Sequence, residues 1–138
     1  MANSLYPLWK KAVLDNTANS DLDDAEGATG VFAALIDTGT YTYSDAHQFY
    51  SSLSGVVGTD QEITTKTTTG GIFDGDDVTY TAVTGATVEA IVLYRKNAGA
   101  NTTWQLVAYI DTGVTGLPVT PNGGNISIAW NASGIFEV

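Results

Sequence analysis

The sequence predicts a mainly β fold, an antiparallel β-sandwich or flattened barrel with one or two short helices. Three observations carry this. Six or so short apolar or alternating runs are present, Gly, Asn and Asp turns separate them, and no βαβ rhythm appears. With 138 residues, 43% of them hydrophobic, the chain can bury the core of one domain. We divide it into an N-terminal arm or short helix at 1–14 and a single β domain at 15–138.

The first unit runs from Asn3 to Leu14. Pro7 pushes Tyr6 towards an extended conformation and suits the first turn of a short helix. At helical spacing Leu8, Trp9 and Val13, with Ala12 beside them, share one face. Such an amphipathic segment either folds back onto its own domain or docks on a neighbouring subunit as an arm. Residues 15–30 read as a polar loop. Its Asp21, Asp23, Asp24 and Glu26 invite a calcium reading, but an EF-hand starting at Asp21 needs an oxygen ligand fifth and Gly sixth, where Ala25 and Glu26 stand.

Val31 to Asp37 is a compact apolar run entering an Asp37-Thr38-Gly39 turn, hence a buried strand. Ser44 offers an N-cap for a short helix over 45–53, closed by Gly55. The Thr-rich stretch 56–69 reads as a long, exposed strand with weakly specified register, a candidate for edge pairing. Asp77 to Val83 reads as the next strand, with Val78, Tyr80 and Ala82 alternating against Asp77, Thr79 and Thr81. Val88 to Tyr94 is almost continuously apolar, as in a central strand covered on both faces. Trp104 to Asp111 and Asn125 to Trp130 alternate, and Ile135 to Val138 supplies a last short strand.

Several kinds of chemistry are disfavoured. There are no cysteines, so disulfides and thiolate metal sites are excluded. The single histidine, His47, has no Gly-x-Ser-x-Gly elbow to serve and reads as a capping or packing residue. Fifteen acidic against five basic residues give a net charge of −10, which repels phosphate backbones, so no nucleic-acid partner is expected. No apolar run approaches the roughly 18 residues of a membrane helix, and the N-terminus lacks an apolar segment behind Lys10 and Lys11, so neither a membrane partner nor Sec-type export is expected.

The densest acidic group is Phe73-Asp74-Gly75-Asp76-Asp77. Asp and Gly are the residues that make tight turns before a strand, and this is the favoured reading. Asp74, Asp76 and Asp77 remain candidates for a calcium site. Paired-acid glycoside hydrolysis fits poorly, because all three acids lie in one loop. Trp104 and Trp130 read as core residues, while Tyr41, Tyr43 and Tyr50 are candidates for an exposed glycan-binding face. No cofactor and no catalytic role is expected.

Read together, several stretches are familiar: Gly71-Ile72-Phe73-Asp74-Gly75-Asp76-Asp77-Val78-Thr79-Tyr80, Glu89 to Tyr94, Leu106 to Asp111, and above all Gly116-Leu117-Pro118-Val119-Thr120-Pro121-Asn122-Gly123-Gly124 with the strand to Trp130. Met1-Ala2-Asn3, Leu5-Tyr6 and His47-Gln48-Phe49 add to them. The chain resembles a family of small tailed-bacteriophage virion proteins over most of its length, the loop 15–30 excepted. That resemblance implies a decoration (cement) protein on the outer surface of the capsid, bound to the major capsid protein and arranged as a homo-oligomer, a trimer or a dimer. In that setting Leu5, Tyr6, Leu8 and Trp9 are the expected interface residues. The competing expectation is a head- or tail-fibre-associated carbohydrate-binding module for host adhesion.

Overall fold

A computed structural model of the chain describes residues 3–23 and 29–138. Asp24, Ala25 and Glu26 of the calcium reading lie outside the described residues. The strands are β1 (Ser4–Leu5), β2 (Gly30–Ile36), β3 (Val56–Glu62), β4 (Ile72–Phe73), β5 (Val78–Tyr80), β6 (Ala90–Lys96), β7 (Gln105–Ile110), β8 (Ile126–Ile128) and β9 (Phe136–Glu137), and the α-helix is α1 (Pro7–Leu14). Every strand pairing is antiparallel. The five-stranded sheet has the order β1-β7-β6-β2-β3, and two ribbons, β4-β9 and β5-β8, stand apart from it. The main sheet is open, with β1 and β3 at its edges, so the architecture is sandwich-like and not a closed barrel. Among the described residues no helix is long and apolar enough to cross a membrane.

The apolar runs become the sheet centre because burial of Val, Ile, Leu and aromatic side chains drives them there. β6 is buried from Ala90 through Arg95 and β7 from Gln105 through Ile110, so both central strands are covered on two faces. In the ribbons the alternation is clean: Val78 and Tyr80 face in while Thr79 faces out, and Ile126 and Ile128 are buried around an exposed Ser127. Hydrogen bonds tie the layers together. Tyr80 donates its hydroxyl to the Ala33 carbonyl at 2.8 Å. Trp130 donates its indole N–H to the Asp76 carbonyl at 3.0 Å and its backbone N–H to Asp77 Oδ1 at 2.9 Å.

The N-terminal segment takes the first of its two expected forms and folds back on its own domain. Ser4 and Leu5 pair with Tyr109 and Ala108, and Tyr6 N–H reaches the Val107 carbonyl at 2.9 Å. Pro7 opens α1, as its fixed φ allows. Trp9 packs edge-on against Phe136 and donates its indole N–H to the Ser20 carbonyl at 2.8 Å. Arg95, inside the sheet, donates through Nε to the Asp21 carbonyl at 2.9 Å, holding the start of the following loop against it.

Two sequence expectations are corrected. No α-helix forms over 45–53; a turn at Asp45–Ala46 is followed by a single 3₁₀ turn, Tyr50–Ser52. The backbone there is committed to β7: Phe49 bridges Gln105, Leu106 N–H donates to the Gln48 carbonyl, and Tyr50 N–H donates to the Trp104 carbonyl. Long-range pairing overrides a local cap signal. The 56–69 strand is shorter than expected and stops at Glu62, where Ile63 turns inward and is fully buried. Its place at the sheet edge matches the expectation.

Candidate functional site

Of the four expected interface residues, Tyr6 and Trp9 belong to the chain's own core, 0% and 3% exposed. That corrects their assignment as contacts for a neighbour. Leu5 and Leu8 are half-buried. The helix is also rotated relative to the face read from the sequence: Trp9 and Ala12 point inward, and Val13 does not. The phase is set by Tyr6, whose docking beside β7 makes 6, 9 and 12 the inner stripe, a tertiary constraint that helical spacing alone does not contain.

The opposite consequence lies at the other end of the helix. Val13 is 42% exposed and Leu14 86%, and beyond them Val138 is 71% exposed. These are the large apolar side chains left in solvent among the described residues. All three line one groove of about 330 Å³, with Trp9, Lys10 and Phe73 among the other walls. Scattered apolar residues on a surface need no explanation, but their concentration at one concavity makes this groove the candidate contact surface.

The acidic turn has a different role. Asp74 exchanges backbone hydrogen bonds with Thr67 at 2.9 and 3.0 Å. Asp76 Oδ2 accepts from the hydroxyls of Thr65 at 2.7 Å and Thr64 at 3.3 Å, while Asp77 receives Trp130. A Cβ on Gly75 would lie 2.4 Å from Ile63 Cγ2, so only glycine fits between them. Asp74, Asp76 and Asp77 thus each serve a separate structural contact, and among the described residues no three His, Asp or Glu side chains converge as a metal site. The segment 116–124 is likewise a brace. Val119 exchanges hydrogen bonds with Val88, and Gly123 and Gly124 clasp Val83.

A half-buried carboxylate, Asp60, escaped the sequence reading. Between Leu35↔Val57 and Ala33↔Gln61 the β2–β3 register slips, so that Ala34 alone stands opposite Gly58, Thr59 and Asp60. Gly58 takes φ 72°, the left-handed region that favours glycine. Asp60 Oδ2 accepts from the Tyr94 hydroxyl at 2.7 Å and the Tyr50 hydroxyl at 3.0 Å, while Oδ1 is shielded from solvent and has no partner among the described residues. Burial pushes its carboxyl above the usual carboxylate range, against the lowering pull of both tyrosine hydroxyls and Lys96. Around it lie half-buried Trp104, stacked on Tyr94 at 5.8 Å, and Lys96, whose ammonium sits 4.9 Å from the Trp104 ring and 5.0 Å from Phe32. Trp104 is therefore less of a core residue than expected. The glycan-face candidates disperse: Tyr41 is buried, and Tyr43 and Tyr50 are half-buried in separate clusters. The chain matches no protein-family model and no curated protein.

Proposed function

We propose that this protein is a non-catalytic structural component of a tailed-phage particle, a decoration (cement) protein that stabilises the head by binding the major capsid protein on its outer surface. The observation that carries the reading is the groove at the end of α1, where the exposed apolar side chains gather on a helix anchored at its other end. A rigid apolar site of this kind suits a shell-binding protein, because burying it at a seam yields roughly 25 cal/mol per Å² and the contact recurs at every copy. The resemblance of segments 71–80 and 116–130 to virion proteins supports the same reading. Closed symmetry is expected of the assembly, with a trimer at threefold or a dimer at twofold positions of the shell.

The test is the double variant Val13→Asp/Leu14→Asp. Stability stays within about 0.5 kcal/mol, since both side chains already meet solvent. Co-sedimentation with capsids of the parent particle falls roughly tenfold or more. Wild-type occupancy by that variant refutes the groove as the capsid contact.

One observation favours the second reading, a carbohydrate-binding module of a head or tail fibre. Phe32, Tyr50 and Trp104 form a half-exposed aromatic cluster beside Lys96. Glycan hits on an array that disappear in Trp104→Ala establish that reading, and their absence removes it.

A further inference from the structure

Three side chains from distant parts of the chain form a hydrogen-bonded line. The Tyr6 and Tyr41 hydroxyls are 2.9 Å apart, and the Tyr41 hydroxyl is 2.8 Å from His47 Nδ1. Tyr6 caps α1 and is fully buried, Tyr41 is 2% exposed, and His47 is half-buried. The line therefore joins the N-terminal segment to the loop that runs along β7.

Each phenol has one proton to donate. Every donor is satisfied only if Tyr6 donates to Tyr41 and Tyr41 donates to His47 Nδ1. The imidazole must then be neutral, with its proton on Nε2. With a proton on Nδ1, His47 donates to Tyr41 and one phenol proton is left without a partner: either Tyr6 keeps donating and the Tyr41 O–H points at nothing, or Tyr41 donates to Tyr6 and it is the Tyr6 hydroxyl that is orphaned. Tyr41 is the only hydrogen-bond partner of that hydroxyl among the described residues. Burial holds the Tyr6 and Tyr41 phenols above their ordinary range, so neither relieves the conflict by ionising. An orphaned buried donor is costly, and in either arrangement it lies in the line that ties the residue anchoring α1 to the 41–49 loop.

We infer that the Tyr6–Tyr41–His47 line is a proton-operated latch that holds the N-terminal strand and helix down when His47 is neutral and loosens them when it is protonated. The other titratable groups packed around it are Tyr43 and Asp45 on the same loop, Tyr109 and Asp111 at β7, and Glu89 ahead of β6. The latch stands apart from the capsid-binding proposal, and neither depends on the other.

Because the chain has one histidine, its imidazole nitrogens are resolved without ambiguity by long-range ¹H–¹⁵N NMR. The neutral ring shows the Nε2–H tautomer, and an Nδ1–H tautomer overturns the latch. Hydrogen exchange supplies the second measurement. As pH is lowered until the imidazole ¹⁵N shifts report protonation of His47, protection of the α1 amides drops about tenfold relative to β6. His47→Asn places Oδ1 near the Nδ1 position as a permanent acceptor and abolishes that drop. Tyr6→Phe/Tyr41→Phe, which leaves no hydroxyl to orphan, also abolishes it. An unchanged ratio in the wild type refutes the latch. An equal drop in wild type and both variants also refutes it, assigning the acid response to Asp45, Asp111 or Glu89 instead.

Discussion

Two tyrosine networks lie in this fold, and they end differently. Tyr6 and Tyr41 form a line that ends on His47 Nδ1, and each phenol hydroxyl has a hydrogen-bond partner. Tyr50 and Tyr94 converge on one oxygen of Asp60, whose other oxygen is shielded and has no partner among the described residues. Both networks connect segments far apart in sequence. In the first, both phenol hydroxyls are hydrogen-bonded. The second retains a charge in a place that disfavours charge. Buried polar networks are worth having only when complete, and the contrast between these two is a direct way to measure that.

The largest expected effect is Tyr41→Phe, which removes both bonds of the first network and strands the Tyr6 hydroxyl. Chemical denaturation should report a loss of about 2–3 kcal/mol. Tyr94→Phe takes one of two donors from Asp60 and should cost about 2 kcal/mol, the range of hydrogen bonds to charged groups. Asp60→Asn acts in the opposite direction. The folded-state pKa of Asp60 lies above its ordinary 3.8, so the folded protein holds this proton more tightly than the unfolded chain. The associated stability is fully present below about pH 3.8 and is lost as pH rises through the folded value. The amide removes that loss, so Asp60→Asn should be more stable than wild type by about 1 kcal/mol at pH 7, with the difference closing towards pH 3.8. Equal denaturation midpoints at pH 7 would show that Asp60 carries no penalty and that the two networks are alike.

The smallest expected signal is an alkaline one. Tyr43, raised by burial and by the neighbouring Asp45, titrates only at about 12, and all seven tyrosines are shifted upward. Raised phenol pKa values give stability that is present below 10 and lost as pH rises through the folded values. Absorbance titration should therefore show almost no tyrosinate at about pH 10 and a single cooperative rise on unfolding. A gradual rise centred at 10 would mean that the networks are open to solvent.

The sheet was legible wherever burial leaves a continuous or alternating record. Val31 to Ile36, Ala90 to Tyr94 and Leu106 to Ile110 are apolar because they lie at the sheet centre, and Ile126 and Ile128 alternate with exposed Ser127 because only one side of that ribbon is covered. Pro7 marked the start of α1 through its fixed φ. What stayed hidden depends on partners distant in sequence. Gln48 and Phe49 read as helical until Gln105 and Leu106 pair with them. Nothing local in Gly58-Thr59-Asp60 announces a bulge, because a bulge is a property of two strands. The groove was missed for a related reason: helical spacing grouped Val13 with Trp9, and only the docking of Tyr6 fixes which stripe faces in.

The pairing of β1 with β7 also sets an order of events. Ser4 finds its partner in Tyr109, 105 positions later (109 − 4), so loop closure on that scale precedes any gain from the N-terminal segment. On a ribosome adding roughly 5–20 residues per second, Tyr6 and Trp9 stay bare for about 5–20 s before β7 emerges. Two core rings are thus made well before the strand that shelters them, and a chaperone that meets this stretch during synthesis finds them bare.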